Sequence, residues 1–413
     1  MIHIPTLSKK PTKSVYEKLG FSDLPFPTDP VVNPYSTDQR TNGAIFAQAP
    51  VQAEIDKFEK LLIRPNDFSN RAKLAYLWSK GDQESGRGMR KTALLRYFRH
   101  RINHDWGTTE FGGQFSAAVV YVSFPAQVDR RYMEQLAQSA LVDVCKGPLL
   151  QSARAALRLS KLGESQAADV MKTDDGGIDA GRLLDDVVLK SLEISTSDLD
   201  KTIADTLVQE GVEPVVAQAL AQGRFEEYLR SFRKDGQLEP LYVPKDLKLL
   251  DYSRALLFNS IVDYLRTAGF AGGYLFIDDI ENLVDQMTRK QRIEFAKEFG
   301  LCTVRPGYSN TAHGFFSCVL TTHQQASVGL AQAWADAGLS SIARLDPSSP
   351  NSIELPLPDK DHALQIIKAH LDHYRMDKTQ LGTIKPFTQD GIDALLQKQN
   401  LHPRTCCQMR QRL

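Results

Sequence analysis

Tyr274-Leu-Phe-Ile-Asp278-Asp279-Ile-Glu281 is a run of apolar residues that ends in two adjacent acids. A strand whose residues are all apolar, rather than alternating with polar ones, is buried on both faces, as in a parallel sheet covered by helices. Four other stretches read the same way: Ala75–Trp78, Ala117–Phe124, Phe315–Thr321 and Ser352–Leu355. The segments between them have helical periodicity, so the chain is assigned to the α/β class, with a parallel sheet. Before the first strand, Ile55, Phe58, Leu61 and Leu62 mark one face of a helix that Pro65 stops.

The spacing of the strands sets the domain plan. About 150 residues separate the second strand from the third, too many for a structureless loop. Met133–Leu159, Ala180–Glu193, Ser197–Glu210, Val215–Arg233 and Lys248–Ala268 read as helices, so a helical insertion is expected at about 130–268. It interrupts an α/β domain spanning 51–345. A small C-terminal helical lid is expected over 346–413, with helices at Asp361–Arg375 and Asp390–Gln399. Residues 1–50 form a proline-rich N-terminal extension: Pro5, Pro11, Pro25, Pro27, Pro30 and Pro34 favour a chain that is extended over a surface or partly disordered.

Ser85-Gly-Arg-Gly-Met-Arg-Lys-Thr92 lies between the first strand and an amphipathic helix, Thr92–Arg101. A phosphate-binding loop needs that placement. Its backbone N–H groups wrap phosphate oxygens, the helix N-terminus adds its positive dipole end, a lysine reaches the β and γ phosphates, and a hydroxyl holds Mg²⁺. Gly86, Arg87, Gly88 and Met89 would form the loop, with Lys91 on the phosphates and Thr92 on the metal. Two positions depart from G-x-x-x-x-G-K-[ST]: Ser85 replaces the first glycine, and Arg90 replaces the glycine before the lysine. An arginine is strained there if φ must be positive. A basic loop that merely caps its helix is the alternative. The acids of the third strand supply the rest of such a site, Asp278 for Mg²⁺ and Asp279 as the base that polarises the attacking water. Around the loop, Arg87, Arg90, Lys91, Arg96, Arg99, His100 and Arg101 form a basic cluster. It fits either bound phosphates or a solvated helix face.

Composition narrows the class further. The 413 residues are 42% hydrophobic and carry 50 basic and 50 acidic side chains, which excludes a fibrous chain and argues against bulk electrostatic binding of nucleic acid. Any DNA contact must come from a local patch or a partner subunit. Cys145, Cys302, Cys318, Cys406 and Cys407 show no paired metal spacing, and the expected setting is a reduced cytoplasm. Ala117–Phe124, the longest strongly apolar run, is too short to cross a bilayer. Met1-Ile-His-Ile-Pro5 lacks the core of a signal peptide.

Together these motifs resemble the AAA+ ATPases and their STAND relatives. Leu-Phe-Ile-Asp278-Asp279 followed by Val319-Leu-Thr-Thr322 looks like the Walker B strand and the strand after it in STAND switches, with His323 where that family has arginine. Leu355-Pro-Leu-Pro-Asp-Lys-Asp-His-Ala363 is similar to the strand-to-lid junction of origin-recognition-type proteins, and His402-Pro-Arg404 to their second sensor. Asn33-Pro-Tyr35 is similar to the segment that lies over adenine. The long helical insertion resembles that of ATPases from bacterial phage-defence islands of the BREX kind.

The resemblance implies an ATP- and Mg²⁺-dependent P-loop hydrolase. Thr322 or His323 would sense the γ-phosphate from between the two Walker motifs, and Arg404 would reach it from the lid. Arg305 and Arg344 stand in stretches where a finger for a neighbouring subunit's nucleotide would lie. It also implies protein partners in a larger complex, DNA contact through that complex, homo-oligomers and no membrane. The alternative is a nucleotide-binding scaffold or assembly subunit without catalysis.

Overall fold

The computed structural model describes residues 13–27, 38–63, 72–79, 90–103, 115–121, 136, 139–140, 143–145, 149–225, 250–280, 286–304, 315–356 and 359–398. The protein is mixed α/β, built on a parallel sheet. Among the described residues its strands are β1 (Leu74–Ser79), β2 (Phe115–Tyr121), β3 (Gly272–Asp278), β4 (Phe316–His323) and β5 (Ser352–Leu355), in the order β2-β3-β4-β1-β5 with every neighbouring pair parallel. Each strand falls on one of the apolar runs of the sequence. The described side chains of β1, β3 and β4 are buried throughout, which is why those runs show no alternation.

Chain order and sheet order differ at one place, and that place matters. β4 pairs with β3 on one side and β1 on the other. The strand that leads towards the Lys91–Thr92 helix and the strand that ends at Asp278 are thus separated by β4 alone. β5 pairs with β1, so the sheet continues past the expected boundary at 345–346 and closes at Leu355.

The first described helix, α1 (Val15–Lys18), lies in the N-terminal extension. Side chains of the sheet alternate between two cores. On one face, Ala75, Leu77, Tyr274, Phe276, Val319 and Ile353 pack against α2 (Gln52–Phe58) and α3 (Lys91–Arg101) through Ile55, Phe58, Leu94, Leu95 and Phe98. On the other, Tyr76, Trp78, Leu275, Ile277, Cys318 and Leu320 pack against the insertion and against Phe295 and Trp334. Trp334 Nε1 donates to the Tyr76 hydroxyl at 2.8 Å, and that hydroxyl donates to the Ala343 carbonyl at 2.8 Å, so the polar atoms of this pair are satisfied. Burial pushes the Tyr76 hydroxyl far above its ordinary pKa.

The described residues between β2 and β3 are largely helical. They include α4 (Leu149–Lys161), α5 (Glu164–Met171), α6 (Asp186–Ser191), α7 (Thr196–Gln209), α8 (Pro214–Ala221) and α9 (Leu250–Thr267). Asp200 on α7 ties the insertion together: Arg158 Nη2 donates to it at 2.9 Å and Arg154 Nη2 at 3.1 Å, while Arg158 Nη1 donates to the Leu183 carbonyl at 3.0 Å. Beyond β3 come α10 (Arg289–Phe299) and α11 (Gln324–Asp336).

After β5, α12 (Lys360–Tyr374) and α13 (Gln389–Lys398) form the C-terminal helical unit. Its apolar centre is not made by those helices alone. Ala363, Ile367, Leu371 and Ile392 pack with Phe21 and Phe26 from the N-terminal extension. Ser22 N donates to the Tyr374 carbonyl at 2.8 Å, Met376 N donates to the Gly20 carbonyl at 3.0 Å, and the Arg375 guanidinium lies over the Phe21 ring.

The same extension then reaches the sheet domain. Arg40 donates to Asp38 at 2.7 Å and to the Leu24 carbonyl at 2.8 Å, and Arg96 Nη1 on α3 donates to the Thr41 carbonyl at 2.5 Å. Gly43, at φ +94°, lies so close to α3 that a Cβ would stand 2.5 Å from the Arg96 carbonyl oxygen. The described parts of the extension are therefore packed on the rest of the protein. Tertiary contacts supply what local propensity does not.

Candidate functional site

The site lies where the carboxyl ends of β1, β3 and β4 meet the first turn of α3. Open parallel sheets place ligands at this edge. Strand alternation puts Ser79 of β1, Asp278 of β3 and Thr321 and His323 of β4 on the α3 side, level with the apolar residues that pack on α3. The first turn of α3 points N–H groups at the same place, since the first four of any helix lack intrahelical acceptors.

Two residues 186 positions apart meet here: Thr92 Oγ1 donates to Asp278 Oδ2 at 2.5 Å. Lys91 is buried, and its Nζ donates to Ser79 Oγ at 3.3 Å and to the Thr322 carbonyl at 3.5 Å. Lys91, Thr92 and Asp278 therefore converge on one site. Thr322 takes part through its carbonyl. By strand alternation its side chain lies on the face opposite α3, beside Trp78, and its hydroxyl donates to the His323 carbonyl at 3.3 Å.

Asp278 is 1% exposed. Its Oδ1 accepts from Thr321 Oγ1 at 2.7 Å and from Asp279 N at 3.1 Å, and Asp279 N also donates to Thr321 Oγ1 at 2.7 Å. Thr321 was not among the residues singled out by motif. The signal that finds it is positional: in β4 it is two residues from Val319, so it shares the α3 face, and it continues the register that pairs Ile277 with Leu320.

Arg90 and Asp279 both sit in the left-handed region, at φ 63° and φ 53°. Arg90 caps α3 from that conformation, which for a non-glycine residue costs about 1–2 kcal/mol. The strain foreseen for an arginine in place of the usual glycine is thus present. A left-handed residue followed by helix also turns successive N–H groups to one side, a shape that suits an anion.

Among the described residues of the basic cluster, three arginines of α3 have protein partners. Arg96 is 1% exposed and bonded to the N-terminal extension, Arg99 Nη2 lies 3.4 Å from the buried Asp143 carboxylate, and Arg101 donates to the Tyr97 hydroxyl at 3.0 Å. Arg344 is exposed and paired with Asp346 at 2.8 Å. Ser85, Gly86, Arg87, Gly88, Met89, Asn33, Tyr35, Arg305 and Arg404 lie outside the described residues.

Among the described residues no group of three or more His, Cys, Asp or Glu could hold a metal ion. The oxygen pair of Thr92 and Asp278 suits a hard cation such as Mg²⁺, which ordinarily takes one or two protein carboxylates and draws its other oxygens from phosphates and water. No helix among the described residues is long and apolar enough to cross a membrane. Comparison with family models, with curated proteins and with solved structures finds no match. The class defined by fold and site is a mixed α/β protein on a parallel sheet, with a lysine, three hydroxyls and a carboxylate gathered at its carboxyl edge.

Proposed function

We propose that the protein is a P-loop ATPase of the AAA+/STAND type that binds ATP with Mg²⁺ and uses slow hydrolysis to switch or assemble a larger complex. The observation that carries this reading is the meeting of Thr92 with Asp278 beside Lys91, at the carboxyl edge of a parallel sheet in which β4 separates β1 from β3. Phosphate chemistry calls for this combination: a cation for the β and γ oxygens, a hydroxyl and a carboxylate for Mg²⁺, and helix N–H groups facing them.

In this reading Thr92 and Asp278 hold Mg²⁺, which would draw charge from the phosphate oxygens. Lys91 neutralises the γ-phosphate, and Asp279 orients a water and accepts its proton. The water oxygen bonds to the γ phosphorus, the bond from that phosphorus to the bridging oxygen breaks, and ADP and phosphate result. The C-terminal unit acts as lid. A DNA-directed or phage-defence setting, a cytoplasmic location, protein partners and oligomers follow from the resemblance alone.

A second reading, a nucleotide-binding scaffold without turnover, is favoured by two features. Arg90 holds a left-handed position where glycine is usual, and Asp279 is one methylene shorter than the glutamate common at such a base. Phosphate release measured with and without DNA separates the two readings. The reading of the site itself is tested by Lys91→Ala, which should abolish ATP binding while leaving the fold intact. Unchanged ATP affinity in that variant sinks it.

A further inference from the structure

We infer that Thr321 is a positioning residue: its single hydroxyl holds the Asp278 carboxylate and the left-handed backbone of Asp279 in register with each other. The inference rests on the ATPase reading for what the two acids do, and on the geometry of β3 and β4 for how they are held.

A threonine hydroxyl has one proton to give and lone pairs to receive. Thr321 Oγ1 lies 2.7 Å from Asp278 Oδ1 and 2.7 Å from Asp279 N. An N–H can only donate and an ionised carboxylate can only accept, so the direction of both bonds is fixed. The proton of Thr321 goes to Asp278. It is thereby committed and is not offered to a phosphate, which sets Thr321 apart from a γ-phosphate sensor. Thr321 is fully buried, so water does not compete for either bond.

Two consequences follow for the site. With Oδ1 taken by Thr321 and Asp279 N, the oxygen of Asp278 turned to Thr92 is Oδ2. The second concerns Asp279. In a strand that simply continued, residue 279 would face the side of the sheet opposite Asp278. The turn to φ 53° ends that alternation, and the hydrogen bond from Asp279 N to Thr321 holds the turn. One hydroxyl therefore selects the metal-facing oxygen and sets the backbone from which the candidate base projects.

The test uses the full chain with Thr321→Val, which keeps the shape and removes both hydrogen bonds, and Thr321→Ser, which keeps both. Phosphate release at saturating ATP should fall on the order of 100-fold in the valine variant, the loss typical of a misplacement of about 1 Å. Its half-saturating Mg²⁺ concentration should rise, while the serine variant stays within a few-fold of wild type in both. Wild-type turnover in the valine variant overturns the inference. So does a serine variant as impaired as valine, since packing of the methyl group would then be the cause. A readout independent of catalysis is hydrogen exchange at the Asp279 amide, which donates to the Thr321 hydroxyl. Exchange there should rise in the valine variant and stay near wild type in the serine variant. Unchanged protection in the valine variant refutes the positioning role. Wild-type protein that neither binds nor hydrolyses ATP sinks the ATPase reading instead, and the exchange comparison then decides this inference on its own.

Discussion

Asp278 offers the sharpest separation of structure from chemistry, through two substitutions that differ by one polar group. Asp278→Ala removes the acceptor for three donors: Thr92 Oγ1, Thr321 Oγ1 and Asp279 N. The cost is smaller than three full hydrogen bonds. Thr92 is partly exposed and can turn to water, and Asp279 N keeps its bond to Thr321. What remains is the buried Thr321 hydroxyl without an acceptor, at about 1–3 kcal/mol, and the lost neutralisation of a site that contains the buried Lys91. A total of roughly 2–4 kcal/mol is expected. Asp278→Asn keeps an oxygen for Thr321 and Asp279 N and places an amide nitrogen opposite Thr92, whose hydroxyl can rotate to accept. It shares only the lost neutralisation of Lys91, so its cost should be about 1 kcal/mol, well below that of alanine. Both variants should lose the Mg²⁺-dependent part of nucleotide affinity. Urea denaturation gives the stabilities, and titration of a fluorescent ATP analogue in Mg²⁺ and in EDTA gives the binding. Two results refute the reasoning: an asparagine variant with intact Mg²⁺ dependence, or an alanine variant as stable as wild type.

Arg90→Gly should relieve the left-handed strain at the start of α3 and raise ATP turnover; a fall in nucleotide affinity would show instead that the arginine side chain serves the phosphates. Phe21→Ala should cost about 3–5 kcal/mol, the usual range for a buried ring, and should selectively expose the amides of α12 to hydrogen exchange; unchanged protection there would mean that the extension does not complete the C-terminal core. His370 is buried, donates from Nδ1 to the Pro25 carbonyl at 3.1 Å, and is depressed to a pKa of about 4, first by burial and then by the nearby His373 and Arg40, against the opposing Pro25 hydrogen bond and Asp38. Because its folded pKa lies below the ordinary 6.5, the unfolded chain binds the extra proton between pH 6.5 and 4, and stability falls by roughly 3 kcal/mol as pH drops through that window. His370→Gln should flatten this dependence in denaturation measured from pH 7 to 4, and an unaltered slope would refute it.

The sheet was legible because burial on both faces leaves a plain mark in the chain: largely apolar runs, without polar alternation, within Leu74–Ser79, Gly272–Asp278 and Phe316–His323. The meeting of Thr92 with Asp278 was legible as a pair of motifs, each too weak alone. Other features leave no local mark. α5 buries only Ala167 and Val170, too few for a helical period to stand out. The choice between Thr321 and Thr322 needs the register of β4 against β3, which two identical neighbours in a sequence do not reveal. The left-handed turn at Asp279 occurs at a residue whose type does not demand it. The packed N-terminal extension has the composition of a loose segment, and its order comes from partners far along the chain.

That last feature constrains how the protein is made. Phe21 and Arg375 pair as neighbouring strands do, although more than 350 residues lie between them. At about 5–20 residues per second, a ribosome needs on the order of 20–70 s to deliver the second partner after the first. During that interval the aromatic residues of the extension have been synthesised and their apolar destination has not, while the sheet and the helical insertion can already assemble. Among the described segments the C-terminal core is therefore the last to form, and its closure joins the earliest-made of them to the latest.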